Sequence, residues 1–381
     1  MKIIAKTLFG LEDTVAAELK ELGASSVTVA NRAVIFEGEL PLLYTVNYMS
    51  RTALSFLVEV SNFRIKSVED LYNGAMRVKW DRYMKVDETF SVVPVVNSDL
   101  FNHTGFAALK VKDAIADYFR KKGGKRPSVN TVNPDIIVNL HISHNTVTIS
   151  LDSSGDPLFM RGYRILRSAA PLNEALAAGM IRMSGWDMKS PLIDPMCGSG
   201  TIAIEAALMA TGTPPGKFRN YFAFQRWIEF DSRLLELIME KYDSRISHGN
   251  CGPIFCSDIS QEAINNTKVN LKATGIEDLV ETSVADFRDL KPPAKEGLLI
   301  MNPPYGERLE QGETNELYSM IGSTLKHNFE GFTAWIISSS RESLKFIGLK
   351  PSAKHVLFNG ALECRFDRYD LYSGSRKQNR N

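Results

Sequence analysis

Asn302-Pro303-Pro304-Tyr305 is the stretch of this sequence whose residue types most clearly suggest a chemistry. It directly follows an apolar run, residues 297–301, which predicts a buried strand. The exocyclic amino nitrogen of a planar base is a poor nucleophile, because its lone pair is delocalised into the ring. Two acceptors on its N–H bonds would help it attack an electrophile. The side-chain oxygen of Asn302 and the backbone carbonyl of Pro303 are the candidates.

The same four residues also suggest how the base would be held. Neither proline has an N–H and both have a fixed φ, so the loop after the strand should be stiff. The ring of Tyr305 can stack on a base drawn out of its helix, a contact typically worth about 1–3 kcal/mol. Asn302, Pro303 and Tyr305 are therefore predicted to be catalytic. The alternative is a turn that ends a core strand, with Tyr305 as a packing residue.

A second motif, Asp194-Pro195-Met196-Cys197-Gly198-Ser199-Gly200-Thr201, closes one predicted strand and opens a helix. Gly198 and Gly200 would let the backbone approach a ligand closely. Asp194 could bond a ligand ammonium or order the turn. The spacing Gly198-x-Gly200-x-x-Ala203 also fits the dinucleotide fingerprint.

The position of the next acid bears on which cofactor this motif would hold. The dinucleotide fingerprint expects an acid about 20 residues on, whereas Asp258 ends a predicted strand 58 residues after Gly200. An insertion, residues 211–252, could separate them, so spacing alone does not exclude NAD. An acid before the glycines favours S-adenosylmethionine, whose methionine end carries an ammonium. Asp258 would then hold the ribose hydroxyls, and Asp286 with Phe287 would meet the adenine.

Each of these acids could instead cap a helix or a surface turn. Direct attack by an amine leaves Cys197 no catalytic task, so it is interpreted as a cofactor-loop residue. The four cysteines and six histidines lack metal-binding spacing, and no metal is expected. The predicted cofactor-binding residues are Asp194, Met196, Cys197, Gly198, Gly200, Thr201, Asp258, Ile259, Asp286, Phe287 and Asn302.

Residues 120–126 place five cations in seven positions on a predicted loop softened by two glycines. Because phosphates dominate nucleic-acid affinity, this loop could clamp RNA, although a solvated loop is the alternative. The candidate RNA-binding residues are Arg120, Lys121, Lys122, Lys125 and Arg126. In the insertion, residues 217–227 interleave cations with aromatics, which suits either a base-binding wall or an amphipathic cover packed on the sheet of the α/β domain. A cover with some substrate contact is the prediction.

The chain has 381 residues, more than one domain usually holds, and a net charge of +1, so nucleic-acid contacts must come from local patches. Patterning predicts two α+β domains, 1–62 and 63–165. From residue 166 to 381, alternating strands and helices predict a doubly wound α/β domain with its ligand at the carboxyl ends of the strands. No apolar run approaches the roughly 18 residues of a membrane span, and the N-terminus does not fit a secretory signal. A reducing cytoplasm is expected.

The two motifs together resemble those of a known family once the second is extended to Asn302-Pro303-Pro304-Tyr305-Gly306-Glu307-Arg308-Leu309. Residues 161–164 (Arg-Gly-Tyr-Arg) and 359–364 (Asn-Gly-Ala-Leu-Glu-Cys) strengthen the resemblance. The family is the bacterial 23S rRNA guanine-N2 methyltransferases with a THUMP domain. The resemblance implies a Rossmann-like, S-adenosylmethionine-dependent methyltransferase domain preceded by ferredoxin-like and THUMP domains. Some relatives carry a second methylase domain, so only the guanine-N2 activity is implied here.

The sequence therefore predicts transfer of a methyl group from S-adenosylmethionine to the N2 amine of a guanine in 23S rRNA. The expected partner is 23S rRNA or a pre-ribosomal particle, with no membrane, and the protein is expected to be a monomer or weak dimer. Three alternatives remain: a tRNA guanine-N2 methyltransferase, an N6-adenine methyltransferase that shares the tetrapeptide, and a catalytically inactive assembly factor that binds RNA.

Overall fold

The computed structural model describes residues 1–166, 172–304 and 311–372, which form two compact units. The first unit comprises Met1–Thr7, Ala16–Leu158 and Arg219–Glu240. The second comprises Leu8–Val15, Phe159–Phe218 and Lys241–Asn381. Within the described residues, none of the helices combines the length and apolar character needed to span a bilayer.

The first unit is built on a seven-stranded sheet of order β2-β3-β1-β4-β7-β6-β5. The central strand β4 crosses the predicted boundary at residues 62 and 63, because it pairs with β1 through its first half and with β7 along most of its length. One sheet therefore continues from the first predicted domain into the second. Its elements are β1 Lys2–Lys6, β2 Ser25–Ala30, β3 Ala33–Glu37, α2 Leu40–Met49, β4 Ser55–Arg64, α3 Val68–Met76, β5 Phe90–Asn97, α4 Thr104–Gly123, β6 Ile136–Ser143 and β7 Thr146–Asp152; α1, Glu12–Glu21, begins in the second unit.

The prediction that residues 120–126 form a loop is wrong for its first half. Helix α4 continues through Gly123, and Gly124 ends it in the left-handed region with φ +72°. Its N–H bonds to the carbonyl of Arg120. Three cations, 120–122, thus lie on the last helical turn, where positive charge is favoured by the helix dipole.

The second unit has a seven-stranded sheet of order β10-β9-β8-β11-β12-β14-β13. Strands β8 to β12 pair in parallel, and β14 runs antiparallel to both β12 and β13. Its strands are β8 Leu192–Asp194, β9 Ile254–Asp258, β10 Val280–Val284, β11 Gly297–Met301, β12 Phe332–Ser338, β13 Ala353–Asn359 and β14 Leu362–Asp370. Its helices are α5 Glu174–Ser184, α6 Thr201–Ala210, α8 Gln261–Thr274 and α9 Gln311–Asn328; α7, Ser232–Asp243, begins in the first unit.

Strand β11 shows why this sheet forms from near-continuous apolar runs. Leu298 and Ile300 pack in one core, while Leu299 and Met301 pack in another. A parallel sheet buried on both faces requires apolar residues at every position. The chain passes from β8 to β9 on one side and returns to β11 on the other, so the strand order reverses at β8. Ligands of doubly wound sheets bind at such a switch point.

A short N-terminal segment, Leu8–Val15, is part of the second unit. Leu11 is fully buried in that unit's main core. A Cβ added at Gly179 on α5 would lie 2.7 Å from the side chain of Leu11, so the glycine makes room for the leucine. The core of the second unit thus includes a leucine that is 168 positions before the glycine against which it packs.

Part of the 211–252 insertion belongs to the first unit. The ring of Phe224 is buried and stacks on Tyr44 of α2 with centroids 4.3 Å apart. Arg226 forms an ion pair with Asp135 at 3.1 Å. The aromatic and cationic run is therefore packed, as expected of a cover. Residues 219–240 group with the first unit and not with the second unit, whose sheet they were predicted to cover.

Candidate cofactor and catalytic site

The loop between β8 and α6 is held against the end of β9. The N–H of Cys197 donates to the carbonyl of Ser257 at 3.0 Å, and the N–H of Gly198 donates to Oδ2 of Asp258 at 3.0 Å. Thr201, the first residue of α6, accepts a 2.9 Å hydrogen bond from Arg164. The predicted motif is thus a short, fixed connection at the carboxyl edge of the sheet.

Glycine is required at two positions of this loop, for a different reason at each. At Gly198, with φ +56°, no atom of the described chain lies within 4 Å of an added Cβ, so its backbone faces open space. At Gly200, with φ +80°, an added Cβ would meet Cγ2 of Thr267 at 2.7 Å. Gly198 exposes backbone to a ligand, whereas Gly200 permits close packing of the loop on α8.

Asp194 is a buried carboxylate at the end of β8, 1% exposed. Neither oxygen accepts a hydrogen bond of good distance and angle from the residues within the described ranges. Burial, and then the negative charge of Asp258, raise its pKa well above that of an ordinary aspartate, and the nearby N–H groups of Met196 and Ala203 only partly oppose this. A carboxylate of this kind is costly unless a cation or donor joins it. It is suited to a ligand ammonium.

Asp258 ends β9 and orders the backbone around the site. Its Oδ2 accepts from Gly198 and its Oδ1 accepts from the N–H of Ser260 at 2.9 Å. Each carboxylate oxygen has a second lone pair, so both can still accept from ligand hydroxyls. The next residue, Ile259, is 71% exposed and also lines the site.

Asp286 and Phe287 follow β10, and both have partners in the chain. Asp286 accepts from the N–H of Arg288 at 2.9 Å and forms an ion pair with its guanidinium at 2.7 Å. This pairing holds the pKa of Asp286 below the usual value. Phe287 is buried and stacks on Phe329 with centroids 5.5 Å apart. Asp286 therefore caps the short turn that follows it, which was the alternative interpretation of this acid. Asp286 and Phe287 nevertheless both line the cavity.

Asn302 follows β11 directly, and its neighbours fix where it points. Strand β11 is paired on one side with β8 and on the other with β12. The side-chain Oδ1 of Asn302 is buried and has no hydrogen-bond partner in the part of the chain that the structure describes. Pro303 is buried and Pro304 is partly exposed. Tyr305 lies outside the described residues, so its predicted stacking stays a prediction.

These groups surround one cavity of about 380 Å³ at the carboxyl edge of the sheet. Ten of the predicted catalytic and cofactor-binding residues line this cavity. Gly200 and Pro303 were also predicted and are described by the structure, but they are not in the lining. The predicted residues that line it are Asp194, Met196, Cys197, Gly198, Thr201, Asp258, Ile259, Asp286, Phe287 and Asn302. The lining also contains residues that were not predicted to bind from the sequence: Leu172, Pro195, Ser199, Ile202, Ala285, Arg288, Pro304, Leu317 and Met320.

Leu317 and Met320 line the cavity but were not among the residues predicted to do so. They are three residues apart on α9 and so lie on one face of the helix. That spacing could have marked them as inward-facing. It could not have shown that they meet the cavity rather than the core, because this depends on where α9 packs.

The Arg-Gly-Tyr-Arg stretch, residues 161–164, anchors the helices that carry the site. Arg161 and Tyr163 both contact the carboxylate of Glu205 on α6, at 3.3 Å and 3.0 Å, and all three side chains are buried. Arg164 contacts Glu174 on α5 at 3.1 Å. This stretch therefore fixes α5 and α6 and does not line the cavity, among the residues described.

Replacing Glu205 with alanine is expected to lower the free energy of unfolding by about 3–5 kcal/mol, because it removes the carboxylate from a buried arginine. Urea unfolding followed by circular dichroism measures the loss. Glu262→Ala, in the exposed first turn of α8, is the matched control and should cost less than about 1 kcal/mol. Equal losses in the two variants would contradict a special role for the buried cluster.

The five candidate RNA-binding cations differ in their surroundings. Arg120 forms an ion pair with Asp117 at 2.7 Å, and Lys122 pairs with Asp81. The Lys122 ammonium and the Tyr118 hydroxyl hold the pKa of Asp81 down at about 2. The remaining three cations, Lys121, Lys125 and Arg126, are exposed around the end of α4.

Comparison with known proteins identifies the family. A model described as "RMKL-like, methyltransferase domain" matches residues 161–368. The chain belongs to this family. A THUMP domain model matches residues 66–152, and an RlmL ferredoxin-like domain model matches residues 2–54. The predicted fold class, a Rossmann-like methyltransferase domain after ferredoxin-like and THUMP domains, is confirmed.

Relatives in sequence and a similar solved structure each match almost the whole chain. "Putative RNA methyltransferase slr0064" of Synechocystis is 38% identical, with 95% of both chains covered. "Ribosomal RNA large subunit methyltransferase K/L" of Shewanella frigidimarina is 38% identical over 97% of this chain but 52% of its own. This chain thus spans about half the length of that relative. The crystal structure of SMU.472, a "putative methyltransferase complexed with SAH", has 26% identity and a TM-score of 0.88, covering 98% and 99% of the two chains.

Proposed function

We propose that this protein transfers a methyl group from S-adenosylmethionine to the N2 amine of a guanine in 23S rRNA. One observation carries the proposal. A single cavity contains a buried carboxylate, Asp194, and a buried amide oxygen, Asn302, neither of which has a partner among the described residues. The first fits a cofactor ammonium and the second fits the amino group of a base.

The residues present fit S-adenosylmethionine. The carboxylate of Asp194 would hold the ammonium, and Asp258 would accept from the ribose hydroxyls while it orders the glycine loop. Ile259 and the methionine-rich wall of Met196 and Met320 offer apolar contact. Asp286 would have to share its carboxylate between Arg288 and the adenine amine. A structurally similar protein was solved with SAH, which supports this choice of cofactor.

When bound, the cofactor supplies an electrophilic methyl group on a sulfonium, a good leaving group. The chain's own task is then to position the base. Asn302 Oδ1, at the cavity lining, accepts one N–H of the amine. The backbone carbonyl of Pro303, which lies between the lining residues Asn302 and Pro304 but is not itself in the lining, is proposed to accept the other. Much of the acceleration comes from this orientation. We also propose that the ring of Tyr305 stacks on the base.

The N-terminal half and the relatives both favour RNA as the substrate polymer. RNA duplexes are recognised mostly by shape and phosphate contact, and the exposed Lys121, Lys125 and Arg126 would supply such contacts. Relatives named as RNA and ribosomal RNA methyltransferases favour RNA over DNA. The substrate is 23S rRNA or a cytoplasmic pre-ribosomal particle. The choice of guanine rests on the resemblance of residues 302–309 to guanine-N2 enzymes.

Methyl transfer from tritiated S-adenosylmethionine tests the proposal. Purified protein is incubated with naked 23S rRNA, precursor large subunits, tRNA and duplex DNA, and the labelled nucleosides are separated. We expect N2-methylguanosine in the ribosomal substrate. Label mainly in tRNA, or N6-methyladenine in DNA, would replace the proposal with one of the alternatives. Failure to bind S-adenosylmethionine in calorimetry would favour an inactive assembly factor.

A further inference from the structure

Helix α8 presents two buried polar side chains to the loop between β8 and α6. Thr267 and Asn270 are 0% and 1% exposed and lie three residues apart, on one face of the helix. The hydroxyl of Thr267 donates to the carbonyl of Gly198 at 3.0 Å, and Nδ2 of Asn270 donates to the carbonyl of Ser199 at 3.2 Å. Two successive carbonyls of the loop are therefore turned toward α8.

The same bonds fix the direction of an N–H group of the loop. The carbonyl of Gly198 and the N–H of Ser199 belong to one trans peptide, so they point in opposite directions. The N–H of Ser199 is thus directed away from Thr267. Gly198 and Ser199 line the cofactor cavity, whereas Thr267 and Asn270 are not in its lining. The side of the loop opposite α8 is therefore the side that meets the cavity.

Ser199 is the position of this loop at which an N–H group is left unused. The other three N–H groups of residues 197–200 have acceptors in the chain, at distances of 2.8–3.0 Å. The N–H of Ser199 has no acceptor among the described residues, although Ser199 is only 4% exposed. A buried N–H without a partner is rare and costly. It is suited to an acceptor on a ligand.

The charges around the cavity indicate which part of the cofactor supplies that acceptor. The methionine end of S-adenosylmethionine carries a carboxylate beside the ammonium that Asp194 would hold. Among the described lining residues the one cationic side chain is Arg288, which already pairs with Asp286 at 2.7 Å. The carboxylate therefore needs neutral donors. Ser199 directly precedes Gly200, the N-cap of α6, where the helix dipole favours an anion.

We propose that Thr267 is a positioning residue that holds the N–H of Ser199 toward the cavity, where this N–H donates to the carboxylate of S-adenosylmethionine. The inference rests on the cofactor of the proposed function and does not depend on the RNA substrate. Thr267 acts through the peptide that follows Gly198, without touching the ligand. Its hydroxyl also lies 3.7 Å from Sγ of Cys197, but sulfur is a weak acceptor, so the carbonyl of Gly198 is the stronger partner.

The test compares Thr267→Val, Thr267→Ser and Thr274→Val by calorimetry. Valine keeps the shape of threonine without the hydroxyl, whereas serine keeps the hydroxyl. Thr274 is the matched control on the same helix, because its hydroxyl donates to the carbonyl of Leu271 at 2.6 Å and it is not in the cavity lining. Each protein is titrated with S-adenosylmethionine and with its decarboxylated analogue, which keeps the ammonium and the sulfonium.

We expect Thr267→Val to raise the dissociation constant for S-adenosylmethionine about tenfold, the usual effect of weakening a hydrogen bond to a charged group. The dissociation constant for the decarboxylated analogue should change less than about twofold, because the acceptor of the Ser199 N–H is missing from this ligand. Thr267→Ser and Thr274→Val should bind both ligands within about threefold of the wild-type protein.

Equal weakening of both ligands by Thr267→Val would mean that the threonine only supports the loop, and would overturn the proposal. Wild-type affinity for S-adenosylmethionine in that variant would do the same. An equally large loss in Thr267→Ser would assign the effect to the methyl group, which packs against Gly200, and not to the hydroxyl.

A measurement on the wild-type protein decides the question even if Thr267→Val does not fold. With isotope-labelled serine, the amide proton resonance of Ser199 is identified as the signal that Ser199→Ala lacks. It should move downfield with S-adenosylmethionine and not with the analogue; the same movement with both would contradict a bond to the carboxylate. A wild-type protein that binds neither ligand would refute the proposed function, whereas failure to distinguish the two ligands refutes only this inference.

Discussion

Asn302→Ala is expected to lower kcat by about 10²- to 10³-fold, the usual effect of removing one hydrogen-bonding group aimed at a reacting atom. Its Oδ1 is buried without a partner among the described residues, so it is available to the substrate amine. The dissociation constant for S-adenosylmethionine should change less than about fivefold, because Asp194 and Asp258 are left in place. Single-turnover methyl transfer and calorimetry measure the two quantities.

Asn265→Ala is the matched control for this experiment. Its amide lies on the exposed surface of α8, where it bonds only to Gln261 among the contacts described. It should keep wild-type kcat. Wild-type turnover in Asn302→Ala would remove the basis for assigning Asn302 a role in the reaction.

Asp194→Asn is expected to weaken S-adenosylmethionine binding by at least about 30-fold, because it removes a buried charge that would pair with the ammonium. The same change should stabilise the cofactor-free protein at neutral pH. The wild-type carboxylate is 1% exposed and lacks a partner within the described residues. Replacing it by an amide of the same shape relieves that cost.

The pH dependence of this effect follows from the raised pKa of Asp194. The folded state keeps its proton to a higher pH than the unfolded state, so wild-type stability falls as pH rises from about 4 through the folded pKa. The stability difference between Asp194→Asn and wild type should vanish below the unfolded pKa and grow with rising pH. Cofactor affinity of the wild-type protein should rise over the same interval.

Asp278→Asn, at an exposed position after α8, is the control and should show neither effect. Thermal unfolding across a pH series and calorimetry with the cofactor give both readouts. If Asp194→Asn is less stable than wild type at neutral pH, the carboxylate orders the turn and is not a site reserved for a ligand.

Local patterns were sufficient to predict the parts of this fold that depend on a few neighbouring residues. The sequence pattern predicts helices over 201–210 and 261–274 and strands over 254–258 and 280–284. These are the bounds of α6, α8, β9 and β10, because apolar periodicity and flanking glycines mark them in sequence. Strands β13 and β14 were missed, although Leu362, Cys364 and Phe366 alternate with polar residues as a strand requires.

Long-range contacts explain what the sequence left undetermined in the site. Gly200 is needed because Thr267 packs against it, and those residues are 67 positions apart. Arg288 is only two residues from Asp286, yet their pairing depends on a turn whose geometry is not visible in composition. Asp194 and Asp258 were found because each ends a strand, and Asp286 because it follows one, but their partners could be determined only from the folded chain.

The burial of Leu11 beside Gly179 bears on how this protein is made and dissected. During synthesis, Leu11 leaves the ribosome long before α5 exists, so the core of the second unit closes only after a wide sequence separation. A catalytic fragment that starts at residue 159 would lack that side chain, leaving a void next to the glycine. Gene fragments meant to isolate the methyltransferase portion should therefore retain residues 8–15 or fill the void by another route.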